Sequence, residues 1–312
     1  MQIVRSLQDM TDDHRGAVAA IGNFDGVHLG HQAILDIARN EAARRGAKLA
    51  VMTFEPHPRA FFTDDPTPFR LMNAEARAHR LEKLGVEVLF EVPFDARLAA
   101  LSPESFARIV VAEAAGLSHV VVGSDFRFGR DRAGRAADLE SYGRTHGFGT
   151  TVAELVEQDG TRVSSTAIRQ ALSEGDPRRA AGMLGHWHRI EGPVIQGDQR
   201  GRDLGYPTAN MSIEGLHPPK FGVYAVKVDV LDGPHRGQYD GAASIGIRPT
   251  FGVNAPNCET FLFDFSGDLY GAHLSVALVE FLRPELKFDG LDTLIAQMDA
   301  DCVEARRILA NV

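Results

Sequence analysis

The feature that most constrains this fold is a strand, a glycine-rich loop and a helix in immediate succession. Residues 17–21 form a continuous apolar run, which is typical of a buried strand, and apolar residues recur at helical spacing within residues 32–45. The loop between them, residues 22–31, contains three glycines, which let a backbone approach a ligand closely. Because the first turn of a helix presents unpaired N–H groups and a positive dipole end, the pattern predicts a phosphate site.

Two histidines, His28 and His31, stand three residues apart where this helix is predicted to begin. On one helical face, both imidazoles can reach the same phosphoryl group. Two alternatives stay open at this point. The histidines can be surface or capping groups, or they can bind a metal with His57 as a third ligand, although no carboxylate or thiol lies at a recognised zinc spacing nearby. Neither alternative accounts for the glycines.

Strand-like and helix-like segments alternate through the first half of the chain. The strand-like runs are 47–54, 86–90 and 119–123, and the helix-like segments are 74–84 and 103–115. This alternation is typical of a parallel sheet with helices on both faces. Ligands of such sheets bind beyond the carboxyl ends of the strands, where the loops 22–31, 55–62 and 123–129 are expected to lie.

Short β-prone runs separated by Gly, Pro and Asp turns replace this alternation in the second half. They cover 190–195, 221–230, 238–247, 258–265 and 273–282. Such spacing indicates an antiparallel barrel, and the amphipathic segment 291–309 is predicted to form a helix lying on it. The length of 312 residues suits two domains, which we place at residues 1–185 and 186–312.

The net charge and the cysteine content limit the kinds of binding partner and the cellular location that we expect. A net charge of −9 argues against broad binding to nucleic acid or to anionic membranes, because both need clustered Lys and Arg. Two cysteines, Cys258 and Cys302, are too few for a disulfide framework and favour a reducing compartment. Residues 1–15 do not resemble a signal peptide, and no later stretch is apolar enough for a membrane span. The cytosol is the expected location.

Two further loops of the first half carry groups suited to nucleotides. In residues 123–129, aromatic rings can stack on a flat heterocycle and Asp125 can accept from ring N–H groups, although Phe126 and Phe128 can instead pack the core. In residues 162–169, hydroxyls at a helix start and two arginines can clamp phosphate, although capping and a solvated arginine explain the same residues.

Two motifs of the second half also admit two interpretations. The segment 201–210 contains P-T-A-N and, by itself, is either a structural loop or a polar site. Glu259 alternates with Phe261 and Phe263, which places the three on one strand face, and such a carboxylate is often only an exposed strand end. No G-x-x-x-x-G-K-[ST] stretch is present, so a kinase function cannot rest on a P-loop.

Taken together, these motifs resemble one family. The pattern G-x-F-D-G-x-H-x-G-H at residues 22–31 resembles the nucleotidyltransferase signature of the bacterial bifunctional riboflavin kinase/FAD synthetases, and the segments 162–169 and 207–210 resemble its later motifs. The likeness extends along nearly the whole chain. It implies a Rossmann-like FMN adenylyltransferase domain at 1–185 and a riboflavin kinase barrel at 186–312. Riboflavin would be phosphorylated by ATP to FMN, and FMN adenylylated by ATP to FAD with release of pyrophosphate.

The resemblance also implies roles for individual residues. His28 and His31 would stabilise the α-phosphate of ATP, and Glu259 would take the proton from the riboflavin 5′-hydroxyl. The implied ATP ligands of the adenylyltransferase are Gly22, Phe24, Asp25, Arg162, Ser165, Thr166 and Arg169. The implied flavin ligands are Phe54, Pro56, Pro58, Phe62, Asp125 and Phe128, and some family members carry Asn where this chain has Asp125. The implied kinase ligands of ATP are Gly201, Arg202, Thr208 and Asn210, the last two also holding Mg²⁺.

The expected partners are therefore riboflavin, FMN, FAD, ATP, ADP and pyrophosphate, with Mg²⁺ as cofactor. No nucleic acid and no membrane are expected, and weak self-association is left open. Two competing functions are a nucleotidyltransferase for another acceptor, such as pantetheine phosphate, and a flavin carrier without catalysis. The first leaves P-T-A-N and Glu259 without a role, and the second leaves the intact His28, His31, Asn210 and Glu259 unexplained.

Overall fold

The computed structural model describes residues 1–63, 65–154, 156–158, 161–196, 205–248 and 255–312. The chain divides into two compact units. The first comprises residues 1–66 and 77–163, and the second comprises residues 67–76 and 164–312. The domain boundary predicted at residue 185 stays a prediction, because these units are defined by compactness and do not test where a domain ends.

The strands of the first unit are β1 Gln2–Val4, β2 Val18–Ile21, β3 Leu49–Glu55, β4 Val88–Pro93, β5 His119–Gly123, β6 Arg127–Phe128, β7 Gly134–Arg135, β8 Gly149–Ala153, β9 Glu157–Gln158 and β10 Thr161–Arg162. Six of them form one sheet in the order β1-β4-β3-β2-β5-β8. All its neighbouring strands run parallel. The pairs β6 with β7 and β9 with β10 are short and antiparallel. The predicted parallel sheet is thus confirmed.

Helices connect these strands. They are α1 Leu29–Arg45, α2 Pro58–Phe62, α3 Ala74–Lys83, of which residues 74–76 belong to the second unit, α4 Ala96–Ala99, α5 Pro103–Ser105 and α6 Ala136–His146. Short 3₁₀ turns lie at Leu7–Asp9, Asp12–His14 and Arg130–Arg132. The helix predicted at 103–115 is present, but after α5 it widens into a π-helix at Phe106–Ala114, where the Ala115 N–H donates to the Val110 carbonyl.

The core of the first unit lies along the central strands. Every residue of β2 is buried, and so are the residues of β3 from Leu49 to Phe54. Such continuous apolar runs are typical of parallel strands covered on both faces. They explain why these two strands could be predicted from the sequence.

The second unit contains the helices α7 Ser165–Glu174 and α8 Pro177–Leu184, the strands β11 Arg189–Pro193, β12 Ala209–Ser212, β13 Gly222–Val230, β14 Gly237–Arg248, β15 Ala255–Leu262 and β16 His273–Arg283, and the terminal helix α9 Leu291–Leu309. The strand order is β11-β16-β13-β14-β15-β12, with all neighbours antiparallel. An antiparallel bridge between Ile195 and Asn210 joins the two ends of this sheet. The predicted barrel is confirmed.

Two apolar clusters hold the second unit together. The barrel interior includes Tyr224, Val226 and Val228, which alternate along β13. Outside it, the buried Ala305 and Leu309 of α9 belong to a second cluster with barrel residues such as Val279. The terminal helix therefore covers the barrel as its amphipathic pattern predicted. Among the described residues, no helix has the length and apolar character that a membrane crossing requires.

Candidate active sites

The glycine-rich loop joins β2 to α1 with an unusual backbone. Gly26 has a φ of 88°, and two residues with side chains, Phe24 and Val27, also have positive φ values of 52° and 44°. Left-handed backbone is costly for such residues, and it persists where surrounding contacts enforce it. The Gln32 side chain donates to the Val27 carbonyl at 2.8 Å and holds the loop against the helix. The sequence thus builds a fixed, strained connection where a phosphate site was predicted.

The two histidines of this loop lie against each other. Helix α1 begins at Leu29, with His28 as its N-cap. The rings of His28 and His31 stack at 3.7 Å between centroids with an interplanar angle of 17°. Gly30 makes room for this arrangement, because a Cβ at that position would lie 3.1 Å from the His28 ring. The expected proximity of the two imidazoles is therefore present.

Hydrogen bonding fixes the tautomer of His28. Its Nδ1 accepts the His31 backbone N–H at 3.3 Å, so the proton of a neutral ring must sit on Nε2. The capping interpretation thus holds for Nδ1 of His28, while Nε2–H can still donate to a phosphate oxygen. The Nδ1 of His31 is buried and, within the described residues, has no hydrogen-bond partner. A buried polar atom without a partner is expected where a ligand supplies one.

Both imidazoles are neutral at physiological pH. Burial lowers the pKa of His28 to about 4, with Asp125 acting in the opposite direction and Arg162 in the same one. Burial and the neighbouring His28 hold the pKa of His31 well below its usual range. The pair therefore offers hydrogen bonds to an anion and not a full positive charge.

An ion pair lies beside this loop. The Asp125 carboxylate, which follows β5, accepts from the Arg162 guanidinium, which ends β10. Asp25, an implied ATP ligand within the loop itself, is buried. Asp125 and Arg162 both act electrostatically on His28 of the loop, and the roles of Arg162 and Asp25 at ATP stay predictions.

Residues 164–169 of the 162–169 motif belong to the second unit. Helix α7 starts at Ser165, as predicted, and Ser164 caps it by accepting the Ala167 N–H at 3.2 Å. The Arg169 guanidinium donates to the Phe69 carbonyl at 3.0 Å and lies 3.4 Å from the Thr166 hydroxyl. The roles of Ser165, Thr166 and Arg169 at ATP stay predictions.

Three of the implied flavin residues, Phe54, Phe62 and Phe128, belong to one aromatic cluster. Buried Phe54 contacts Phe94 and Phe106, with centroids 6.0 Å and 6.2 Å apart. Phe94 continues to Phe62 at 5.6 Å, and Phe106 continues to buried Phe128 at 5.6 Å. Core packing therefore explains the rings at 54 and 128, whereas Phe62 is 66% exposed.

The sequence interpretation did not identify Phe94 and Phe106 as members of this aromatic cluster. Phe94 directly follows β4, so the rule about the carboxyl ends of strands could have identified it. Pro58 occupies the first turn of α2, whose N-cap His57 accepts the Arg59 N–H through Nδ1 at 3.1 Å. His57 thus has a capping role. Among the described residues, no group of three His, Cys, Asp or Glu side chains is placed to hold a metal, so the alternative of a three-ligand metal site gains no support.

The second site lies on adjacent strands of the barrel. Asn210 of β12 is directly opposite Glu259 of β15. Both are buried, with 8% and 6% of their surface exposed. The Asn210 amide donates to the Thr208 carbonyl at 3.2 Å and lies 3.5 Å from the Thr208 hydroxyl. The structure therefore brings three predicted kinase residues together, and Glu259 is not an exposed strand end.

Asn257 is a neighbour of this site that the sequence interpretation missed. Its side-chain amide donates to Glu259 Oε1 at 2.9 Å and lies 3.5 Å from Asn210 Oδ1. Alternation along β15 places residues 257 and 259 on one face, and this signal could have identified it. The implied ATP ligands Gly201 and Arg202 lie outside the described residues.

Comparisons with known proteins match both halves of the chain. A family model described as FAD synthetase matches residues 10–167, and one described as riboflavin kinase matches residues 184–309. A bifunctional riboflavin kinase/FMN adenylyltransferase from Pseudomonas fluorescens is 42% identical over 311 residues, with 99% of this chain and 98% of the relative covered. The protein of the same name from Escherichia coli (strain K12) is 38% identical over 307 residues, covering 98% and 97%.

A solved structure supports the fold. A chain described as a macrolide-efflux protein from Streptococcus pneumoniae has a TM-score of 0.82 and 31% identity, and the match covers 96% of each chain. Its described activity differs from those of the curated relatives.

The parallel-sheet unit with its histidine loop and the barrel with its Asn210–Glu259 pair define a two-part transferase that uses ATP. The chain belongs to the bifunctional riboflavin kinase/FMN adenylyltransferase family. The predicted pair of activities is thereby confirmed, with riboflavin, FMN and FAD as the flavins and ATP as a substrate.

Proposed function

We propose that the barrel phosphorylates riboflavin to FMN and that the histidine loop of the first unit supports transfer of AMP from ATP to FMN. The observation that carries this assignment is that two chemically different clusters are each assembled within one unit. One is the stacked pair His28 and His31 at a helix start, and the other is the buried pair Asn210 and Glu259.

In the adenylyl transfer, a phosphate oxygen of FMN attacks the α-phosphorus of ATP, and the bond to pyrophosphate breaks. Negative charge then builds on the non-bridging oxygens of the α-phosphate. The Nε2–H of His28, a donor from His31 and the N–H groups at the start of α1 are fixed in place to stabilise that charge. Because burial keeps both imidazoles neutral, each can donate one ring N–H to a phosphate oxygen without carrying a positive charge.

In the kinase reaction, the riboflavin 5′-hydroxyl oxygen attacks the γ-phosphorus of ATP, and ADP leaves. Glu259 accepts the hydroxyl proton, while the Asn257 amide fixes the orientation of its carboxylate through Oε1. Positioning of the nucleophile and neutralisation of the phosphates supply most of the acceleration in such transfers.

The side chains of Thr208 and Asn210 contain oxygen atoms, which are the ligands that a hard cation such as Mg²⁺ prefers. In the structure the Asn210 amide nitrogen lies on the side of Thr208, so its oxygen turns toward the Thr208 hydroxyl only when the amide rotates. Both side chains are neutral, and a Mg²⁺ ion held there would neutralise part of the phosphate charge of ATP.

We further propose the cytosol as the location. Both cysteines are free thiols, and burial raises the pKa of Cys258 to about 12, so this thiol is unreactive. Weak self-association stays a prediction.

The test is a time course with purified protein, riboflavin, ATP and Mg²⁺, resolved by liquid chromatography. We expect FMN to form first and FAD to follow. A second reaction that starts from FMN isolates the adenylyl transfer, and pyrophosphate release confirms its products. Formation of neither flavin product, or binding of flavin without conversion, would contradict the proposal. Replacement of FMN by pantetheine phosphate tests the competing acceptor.

A further inference from the structure

The ion pair between Asp125 and Arg162 lies at the protein surface and also close enough to the histidine loop to act on His28. Both side chains are about half exposed, at 55% for Asp125 and 49% for Arg162. Both also act on buried His28, where the carboxylate raises the pKa and the guanidinium lowers it. The pair therefore lies within electrostatic reach of the ring that is assigned to the α-phosphate.

A guanidinium uses the same planar set of N–H donors to bind carboxylate and phosphate. In the structure, Nη2 of the Arg162 guanidinium donates to the Asp125 carboxylate, which carries the same sign of charge as ATP. A triphosphate that binds Arg162 through Nη2 therefore has to replace this carboxylate, and the negative charge of Asp125 repels the incoming phosphates.

We propose that Asp125 competes with ATP for Arg162 and thereby sets the affinity of the adenylyl-transfer site for ATP. This inference rests on the proposed function of the histidine loop. It assigns Asp125 to the phosphate side of the site, in addition to the flavin contact that the family resemblance implies. Asp125 is a positioning residue here, because it acts on the reaction through Arg162.

The first test is Asp125→Asn, which keeps the shape of the side chain and removes its charge. An exposed ion pair changes an equilibrium constant by a factor of roughly two to five. We therefore expect KM for ATP in FAD formation, measured at saturating FMN, to fall about two- to five-fold. The matched control is Asp36→Asn, because Asp36 also pairs with an arginine, Arg39, on the exposed surface of α1. Its KM for ATP should not change.

The second test is a double-mutant cycle. If Asp125 acts through Arg162, then Asp125→Asn has no effect on KM for ATP in an Arg162→Gln background. Where that background is too slow to measure, a salt series replaces it, because the difference between wild type and Asp125→Asn should shrink as ionic strength rises. Riboflavin phosphorylation by the same preparations reports whether the barrel is intact, and a thermal melt reports whether the first unit of each variant is folded.

Several results would overturn the inference. They are an unchanged or raised KM for ATP in Asp125→Asn, an equal fall in Asp36→Asn, an effect that persists without Arg162 or at high salt, or a change confined to KM for FMN. Absence of FAD formation by the wild-type protein is a different result, since it removes the proposed function itself.

Discussion

Asn210 and Glu259 are direct cross-strand partners, and the side chain of Asn257 lies within 3.5 Å of the Asn210 side chain and 2.9 Å of the Glu259 carboxylate. The Asn257 amide therefore contacts both the proposed Mg²⁺ ligand, Asn210, and the proposed base, Glu259. Because β12 and β15 are neighbours in a closed barrel, this spacing cannot vary without disrupting the sheet. The kinase assignment depends on this geometry.

Replacement of Glu259 by Gln should stop FMN formation, because the amide cannot accept the hydroxyl proton. We expect a loss of about 10²–10⁴-fold in kcat for riboflavin phosphorylation. FMN-to-FAD conversion by the same protein should be retained. The exposed Glu214 offers a matched control, as Glu214→Gln makes the same chemical change away from the pair. Equal loss of both activities in Glu259→Gln would contradict separate sites.

Asn257→Ala should lower kcat for FMN formation about ten-fold, since a hydrogen bond to a charged group is lost. The KM values for riboflavin and ATP should change little, because the substitution removes orientation of the carboxylate and no predicted substrate contact. Asn257→Ser can restore a donor and should recover part of the rate. If kcat is unchanged in the Ala variant, the contact with Glu259 has no role in the reaction.

His28→Asn separates helix capping from phosphate binding. Asn is a good N-cap, so the start of α1 should be preserved, whereas the Nε2 donor is lost. We expect kcat for FAD formation to fall about 10²–10³-fold, the effect of removing one oxyanion donor. His31→Ala should also impair FAD formation. Steady-state kinetics of both reactions and a thermal melt check this prediction, and an unaffected FAD rate would exclude the histidines from catalysis.

The stability of the protein should depend on pH through buried His119. Burial, helped by Arg45 and Arg44, lowers its pKa to about 4 from the usual 6.5. Between these values the unfolded chain binds a proton that the folded chain does not, so the free energy of unfolding falls as the pH falls through this window. From about pH 6.5 to about 4.5 the contribution of His119 is about 2 kcal/mol.

Urea denaturation of the wild type and His119→Gln checks this effect. The variant should lose about 2 kcal/mol less over that interval, even if it is less stable throughout. Above the interval, the difference between the two proteins should be constant. Parallel stability curves across the acid range would show that His119 does not titrate as its burial requires.

Much of the fold could be predicted because its signals are local. The strand predicted at 273–282 is observed as His273–Arg283, and the terminal helix is observed at the predicted residues 291–309. Both could be predicted because the residues that an element buries recur in the sequence at the spacing of that element. The strand predicted at 86–90 is shifted to Val88–Pro93, because periodicity does not fix where a strand ends.

The sites were predictable in part. The stacking of His28 and His31 follows from their spacing at a helix start, which the sequence displays. The contacts of Asp125 with Arg162 and of Asn257 with Glu259 were not predicted. The first joins segments that are distant in the chain, and the second depends on the rotamer of one side chain.

The sequence alone determined the two-part architecture, the glycine-rich loop at the start of α1 and the family motifs, because periodicity, glycine placement and residue spacing act over a few neighbouring residues. Only the tertiary structure decided that the imidazoles are neutral, that Arg162 is held by a carboxylate and that an amide joins the two kinase residues. Burial and hydrogen-bond geometry depend on what surrounds a side chain in space, and residues far away in the chain supply much of that environment.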